Sequence, residues 1–182
     1  MGSAFKQFTA KRPLCQKEPL RVSHVLALEQ LVHTADSLYD RVAAGHFLMM
    51  VFGRARYADL MALEELEEDY ATQDPTEARG YIEARTRITK TGTSREKRTA
   101  FLPLTAPTQG LGSGSWARAW VLARVQTGVT CGAGLPGLPA PSPNGGWQQR
   151  PATAQEAINW MRALLVQGGI IAAELRRLGT HS

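Results

Sequence analysis

One long helical stripe in the first third of the sequence constrains the fold most. Seven residues recur at positions i, i+3, i+4, i+7, i+8, i+11 and i+12, namely Tyr39, Val42, Ala43, His46, Phe47, Met50 and Val51. This spacing places all of them on one helical face. Asp36 and Ser37 come just before the stripe, and both residue types are good N-caps. The pattern predicts a helix that begins near Asp36 or Ser37 and packs against a core.

Further helical patterns lie on both sides of this stripe. The spacing predicts a helix from Ser23, one over Ser115–Gln126 with Ser115 as its N-cap, one over Thr153–Val166 and a short one over Ile170–Leu178. Thr153 and Glu156 form a capping-box pattern for the third of these. Another helix is predicted over 58–68, where leucines lie three residues apart and the glutamates between them indicate a solvated face.

Strand-forming residues dominate 80–104. They predict two antiparallel strands around a turn at 91–94, the first over Tyr81–Arg87 with Ile88–Thr91 and the second over Thr99–Leu104. The segment 127–152 is rich in glycine and proline and predicts a flexible loop. The expected fold is therefore α+β, mostly helical with a small antiparallel β-hairpin or sheet.

The domain organisation follows from length and composition. A chain of 182 residues suits one ordinary globular domain or two small ones. Residues 1–21 predict a basic extended arm, and residues 22–182 the folded part. No run reaches the roughly 18 apolar residues that a membrane span needs, and Cys15 and Cys131 fit no disulfide framework. We expect no membrane association, no metal or other cofactor, and an intracellular location, the nucleus in a eukaryote or the cytoplasm in a bacterium.

Positive charge is concentrated in one short segment. The net charge is +4 over 1–21, −8 over 22–78, +5 over 79–98 and +4 over 99–182, which sums to +5. A basic segment of this kind favours a phosphate-binding surface, although a solvated hairpin without a ligand has the same composition. The candidate DNA-binding residues in it are Arg85, Arg87, Arg95, Lys97 and Arg98.

Three pieces of sequence occur in an informative order. Gly53-Arg54-Ala55-Arg56-Tyr57-Ala58-Asp59-Leu60 ends the long stripe, Thr89-Lys90-Thr91-Gly92 lies in the basic hairpin, and Leu178-Gly179-Thr180-His181-Ser182 follows the last helix. Together they resemble the tyrosine recombinase (phage integrase) catalytic domain. That family has a first arginine before an acidic-Leu pair, then a hairpin lysine, an HxxR box, a further His or Trp, and a tyrosine nucleophile.

The resemblance implies a role for each matching residue. Arg56 would clamp the scissile phosphate and Asp59 would support that arginine; Arg54 is the rival position. Lys90, with Lys97 as its rival, would protonate the leaving 5′-oxygen, and His181 would assist at the phosphate. The implied partner is DNA, bound by a homo-oligomer in a complete enzyme, and the implied function is DNA recombination or integration.

The resemblance is incomplete at its end. The second arginine and the nucleophilic tyrosine have no counterparts, because Tyr39, Tyr57, Tyr70 and Tyr81 all precede His181. We therefore expect a catalytically incomplete recombinase domain. The alternative is a non-catalytic nucleic-acid-binding or interaction module that uses the basic hairpin.

Overall fold

Two helices open the part of the chain that the structure describes. The computed structural model describes residues 18–72, 74, 78–86 and 102–178. Helix α1 spans Val22–Thr34 and helix α2 spans Leu38–Phe52. The Ser37 hydroxyl caps α2 by accepting a hydrogen bond from the backbone N–H of Asp40. Both helices confirm the sequence-based prediction.

The acidic stretch after α2 is a strand, so the helix predicted over 58–68 is wrong. Helix α3 is a single turn, Tyr57–Leu60, and strand β1 spans Leu63–Tyr70. A bulge between Leu63 and Glu65 shifts the strand alternation by one residue. Leu63 and Leu66 therefore both face inward although they lie three positions apart. Because of this bulge, two inward-facing leucines of one strand lie three residues apart in the sequence, which is a spacing typical of a helix.

Strands β2 and β3 complete a three-stranded antiparallel sheet. Strand β2 spans Gly80–Thr86, strand β3 spans Leu102–Pro107, and the strand order is β1-β2-β3. Thr86 pairs with Leu63 on one side and with Leu102 on the other. The two strands confirm the predicted antiparallel pair, whereas its turn at 91–94 lies outside the described residues.

Helix α4 joins the sheet to α2. It spans Trp116–Gln126, and the Ser115 hydroxyl caps it by accepting from the Arg118 N–H, as the sequence predicts. The indole N–H of Trp116 donates to the Pro107 carbonyl at the end of β3, at 3.0 Å. The indole N–H of Trp120 donates to the Val42 carbonyl in α2, also at 3.0 Å. Both rings are fully buried, so α4 is held on two sides.

The glycine- and proline-rich segment is more ordered than the sequence indicates. It contains a two-stranded antiparallel sheet of β4 (Pro139–Pro141) and β5 (Trp147–Pro151). The Trp147 ring meets Tyr39 edge-on at 4.7 Å, and its N–H donates to the Thr127 carbonyl. The expectation of a flexible loop over 127–152 is corrected here, because contacts from distant parts of the chain hold the segment in place.

Helix α5 spans Ala154–Gln167 and carries the predicted capping box. The Thr153 hydroxyl accepts from the Glu156 N–H, and the Glu156 carboxylate accepts from the Thr153 N–H. The Arg150 guanidinium also donates two hydrogen bonds to that carboxylate, at 2.8 and 2.7 Å. The last predicted helix is a 3-10 helix, Ala172–Arg177.

Replacing Thr153 by Ala should destabilise the fold by about 1 kcal/mol, because the N–H of Glu156 loses its side-chain acceptor. Urea unfolding measures the change. The matched control is Thr34→Ala, since the exposed Thr34 hydroxyl only donates to the Gln30 carbonyl of its own helix. Equal losses in the two variants would contradict a capping role for Thr153.

Helix α2 lies at the centre of the fold. Every residue from Val42 to Met49 is buried, so this helix is enclosed on all sides rather than on one face. Helices α1, α4 and α5 and strand β3 contact it. The chain is thus an α+β fold with a small antiparallel sheet. In the described ranges, no helix combines the length and apolarity that crossing a bilayer requires.

Candidate nucleic-acid interface

The turn between α2 and α3 presents two arginines to solvent. Gly53 ends α2, and Arg54 follows with a left-handed backbone, φ 52°. The N–H of Ala55 donates to the Met50 carbonyl at 3.0 Å, and Ala55 is buried. Arg54 and Arg56 flank this buried alanine, and both are exposed.

Asp59 fixes the start of α3. Its buried carboxylate accepts a hydrogen bond from the backbone N–H of Arg56 at 3.1 Å. The structure therefore brings Arg56 and Asp59 together, as the resemblance implies, but the observed contact uses the Arg56 backbone instead of its guanidinium. Asp59 holds the turn in position and leaves the Arg56 side chain directed to solvent.

The sheet register brings the basic connection to the same end of the molecule. Strand β1 begins at Leu63, directly after α3, and Leu63 lies opposite Thr86. Strand β3 begins at Leu102, also opposite Thr86. The connection 87–101 therefore leaves and re-enters the sheet at the end that α3 adjoins. We call this region, with Arg54 and Arg56, the basic end of the sheet.

Most of the predicted site residues fall outside the described part of the chain. The connection contains five basic residues and one acidic residue, Glu96. The basic residues are Arg87, Lys90, Arg95, Lys97 and Arg98, and these five, together with His181, lie outside the described residues. The structure thus describes Arg56, Asp59 and Arg85 among the predicted site residues.

Arg85 lies on the outer face of the sheet and is ion-paired. Its guanidinium donates to Glu83 and to Glu65, each at 2.9 Å. The hydrogen bond to Glu83, together with the charges of both carboxylates, raises the pKa of Arg85 above its usual value. These carboxylates compensate its charge, so Arg85 is a weaker candidate for a phosphate ligand than the sequence suggests.

The outer face of the sheet is acidic. Cross-strand partners share a face, so Glu65, Glu67 and Asp69 of β1 lie beside Arg85, Glu83 and Tyr81 of β2. Four carboxylates thus accompany one guanidinium on this face. Phosphates would be repelled from this face.

Two of the four tyrosines use their hydroxyls to link distant segments of the fold. The Tyr57 hydroxyl donates to the Ala152 carbonyl at 2.6 Å, and burial raises its pKa to about 12. The Tyr39 hydroxyl accepts from the Gly146 N–H at 2.7 Å. Both hydroxyls connect distant segments of the fold, so neither is available as a nucleophile.

The other two tyrosines lie away from the basic end. The Tyr70 hydroxyl contacts Glu68 and Ser115 at the end of β1. Tyr81 is exposed at the start of β2, and its register partners are Asp69 and Pro107. These residues mark the sheet end opposite to the one where 87–101 enters. Tyr57 follows Arg56 directly in the chain, but its hydroxyl is buried and bonded to Ala152, so no tyrosine hydroxyl in the described structure is free beside Arg56.

The sequence does not indicate that the glycine-rich segment 110–114 is held in place by a buried carboxylate. The buried Glu29 of α1 accepts hydrogen bonds from the backbone N–H groups of Leu111 and Gly112, both at 2.7 Å. A side chain at Gly110 would collide with the Glu29 carboxylate. Only the position of Glu29 within the apolar residues of α1 could have signalled this contact.

A buried polar pair in the core was also not anticipated. His46 is fully buried among aromatic rings, and neither ring nitrogen has a hydrogen-bond partner in the structure. Arg124 is buried as well and donates to the Gly137 carbonyl at 2.8 Å and to the Cys131 sulfur at 3.3 Å. Both residues belong to the buried core.

The described residues contain no group of three or more His, Cys, Asp or Glu side chains that could hold a metal ion. Comparison of the chain with protein-family models, with curated proteins and with solved structures found no match. The resemblance to tyrosine recombinases stays a prediction from the sequence. Interpretation of the site therefore rests on its geometry and charge.

Proposed function

We propose that the chain binds DNA through the basic end of the sheet, as a recombinase-like phosphate-binding domain. The observation that carries the proposal is the register. Leu63 and Leu102 both pair with Thr86, so the exposed Arg56 turn and the connection with five basic residues belong to one end of the molecule. Concentrated basic charge beside an acidic face favours one direction of approach for a polyanion.

Arg56 is the residue best suited to contact a phosphate specifically. A guanidinium can bind two phosphoryl oxygens at once. The buried Asp59 carboxylate fixes the Arg56 backbone, which lowers the entropy lost when the side chain engages a ligand. Arg85, by contrast, already has two carboxylate partners. In a recombinase-like reaction Arg56 would stabilise charge on the scissile phosphate, and Lys90 would protonate the leaving oxygen.

The second candidate function is nucleic-acid binding without strand cleavage. It is favoured by the positions of the tyrosines, since Tyr39, Tyr57 and Tyr70 are hydrogen-bonded within the fold and Tyr81 lies at the far end of the sheet. A covalent phosphotyrosyl intermediate needs a tyrosine hydroxyl next to the bound phosphate. Cleavage by this mechanism would require a nucleophile from outside the present sequence.

Replacing Arg56 by Ala should weaken DNA binding by about tenfold or more at low salt, because a positioned bidentate phosphate contact is lost. Fluorescence anisotropy with a labelled duplex over a range of salt concentrations measures affinity and salt slope together. An Arg98→Ala variant should lower the slope by about one unit and cost less affinity. Arg85→Ala should change affinity little, because that arginine is already ion-paired.

Two outcomes would contradict the proposal. Equal losses from Arg56→Ala and Arg98→Ala would mean that binding is diffuse and that no phosphate pocket exists. Absence of duplex binding at low salt would exclude both candidate functions. A Tyr81→Phe variant tests strand cleavage separately. If the wild type forms a covalent DNA adduct and this variant does not, Tyr81 would be the nucleophile, and its placement away from the bound phosphate would be wrong.

A further inference from the structure

The three-stranded sheet has two edges that differ in chemistry. In an antiparallel ladder, alternate residues direct their backbone groups toward the neighbouring strand. The N–H of Ala71 donates to the Arg79 carbonyl, and this pair extends the β1–β2 ladder. By this alternation the backbone groups of Glu65, Glu67 and Asp69 form hydrogen bonds to β2. The backbone N–H and C=O groups of Leu66, Glu68 and Tyr70 therefore point away from β2. Among the described strands, none pairs with β1 on that side.

The opposite edge of the sheet is blocked. The N–H of Thr108 donates to the Gly80 carbonyl, which extends the β2–β3 ladder. The same alternation directs the backbone groups of Pro103, Thr105 and Pro107 away from β2. Proline has no N–H, so two of these three positions cannot donate to an added strand. Strand β1 is thus the edge at which this sheet can be extended.

The charge of β1 restricts which strand can join it. Five of its eight residues are Glu or Asp. A second β1 strand would be repelled, whereas a basic strand would be attracted. The chain carries such a segment, because 5–12 includes Lys6, Lys11 and Arg12, lacks acidic residues and proline, and matches β1 in length. Phe5, Phe8 and Thr9 in this segment also favour a strand.

The geometry of α1 favours a strand from another copy of the chain. Within one copy only residues 13–17 link this segment to Glu18, a reach of about 17 Å. Helix α1 separates Glu18 from the far end of β1, because its His33 lies beside Gly114, and Ser115 next to it contacts Tyr70. From Val22 to His33 the helix alone rises about 16 Å. The linker would therefore have to run almost fully extended along the whole helix to bring the segment to the far end of β1 in its own copy, whereas a second copy imposes no such constraint.

We propose that residues 5–12 of one copy add as a fourth strand to the β1 edge of a second copy. Backbone hydrogen bonds at Leu66, Glu68 and Tyr70 supply the pairing, and the acidic side chains of β1 select the basic segment. This interface is separate from the basic end of the sheet and does not depend on DNA binding.

Sedimentation of the full-length protein without nucleic acid tests the proposal. The average mass should rise with protein concentration at about 50 mM salt and fall toward the monomer at about 500 mM. Glu68→Pro should lower the association constant by about tenfold or more, because it removes an N–H that points to the open edge. The matched control is Thr105→Pro, which removes an N–H from the blocked edge and should leave association within about twofold of wild type.

A charge exchange identifies the occupant of the edge. Glu67→Lys with Asp69→Lys should abolish association, and so should Lys6→Glu with Lys11→Glu. An equal mixture of the two double variants should associate again, because each mixed pair restores one complementary interface. Thermal melting establishes that each variant is folded.

Several results would overturn the proposal. A wild-type chain that stays monomeric at low salt would exclude exchange between copies. Equal effects of Glu68→Pro and Thr105→Pro would exclude pairing at the β1 edge. Association that survives Lys6→Glu with Lys11→Glu would assign the edge to a different segment.

Discussion

Acidification from pH 6.5 toward pH 3 should remove about 4 kcal/mol of stability through His46 alone. Burial, and to a smaller extent the charge of Arg124, lower the pKa of His46 from 6.5 to about 3. In the unfolded chain the imidazole takes up a proton near pH 6.5, whereas the folded chain resists protonation until about pH 3. The unfolded state therefore binds more protons across this window, and stability falls as the pH falls.

The surroundings of His46 explain why the effect should be large. Its ring lies 5.9 Å from that of Tyr57 and 6.4 Å from that of Trp120, and neither ring can compensate an imidazolium as a carboxylate would. A loss of this size is comparable to the whole stability of a small domain. Urea unfolding at several pH values between 3 and 7 measures it.

Replacing His46 by Leu isolates this contribution. The variant keeps an apolar side chain in the core and removes two unpartnered ring nitrogens, so it should be about 1 kcal/mol more stable at pH 7. Its stability should also fall less between pH 6.5 and pH 3. Glu156, with a pKa lowered to about 2 by Arg150, adds an acid-sensitive contribution that both proteins share. Identical pH profiles for His46→Leu and wild type would show that His46 is not the cause.

Replacing Gly45 by Ala should destabilise the fold by about 2 kcal/mol or more, although the same change inside an ordinary helix stabilises it by about 1 kcal/mol. A Cβ at Gly45 would collide with the ring carbons of Trp120. That ring is anchored by its hydrogen bond to the Val42 carbonyl and packs against Trp116. It cannot move aside without separating α4 from α2.

A double-mutant cycle tests this explanation. In a Trp120→Leu background the added methyl group has room, so Gly45→Ala should cost much less than in wild type. Denaturant unfolding of the four proteins gives the coupling free energy. An equal cost in both backgrounds would mean that Gly45 is needed for a reason other than the Trp120 contact.

The helices illustrate what local sequence can determine. Ser37, Ser115 and Thr153 each cap a helix at the predicted place, because a cap depends on residues within three positions of one another. The stripe after Ser37 gives α2 its length. It does not reveal that residues between the stripe positions, such as Ala44 and Leu48, are also buried, since their partners come from other elements.

Local sequence likewise predicts some features of the candidate site and not others. The order of Arg56, the basic segment and His181 is visible in the sequence, and so is the excess of positive charge. The ion pairs that compensate Arg85 are not visible, because they depend on the register that sets Glu65 opposite it. The contact of Asp59 with the Arg56 backbone is of the local kind, because it spans only three positions, as the capping box of Thr153 and Glu156 does.

The sequence by itself determined the capped helices, the antiparallel pair and the concentration of basic charge, because each depends on residues close together along the chain. The tertiary structure decided that the acidic stretch is a strand, that 127–152 is ordered, and that β1 begins beside the end of β2 and the start of β3. Those outcomes depend on pairing across tens of residues, as when Leu63 meets Thr86 and Trp147 meets Tyr39. Such pairings are selected by the free energy of the whole fold, which no local pattern contains.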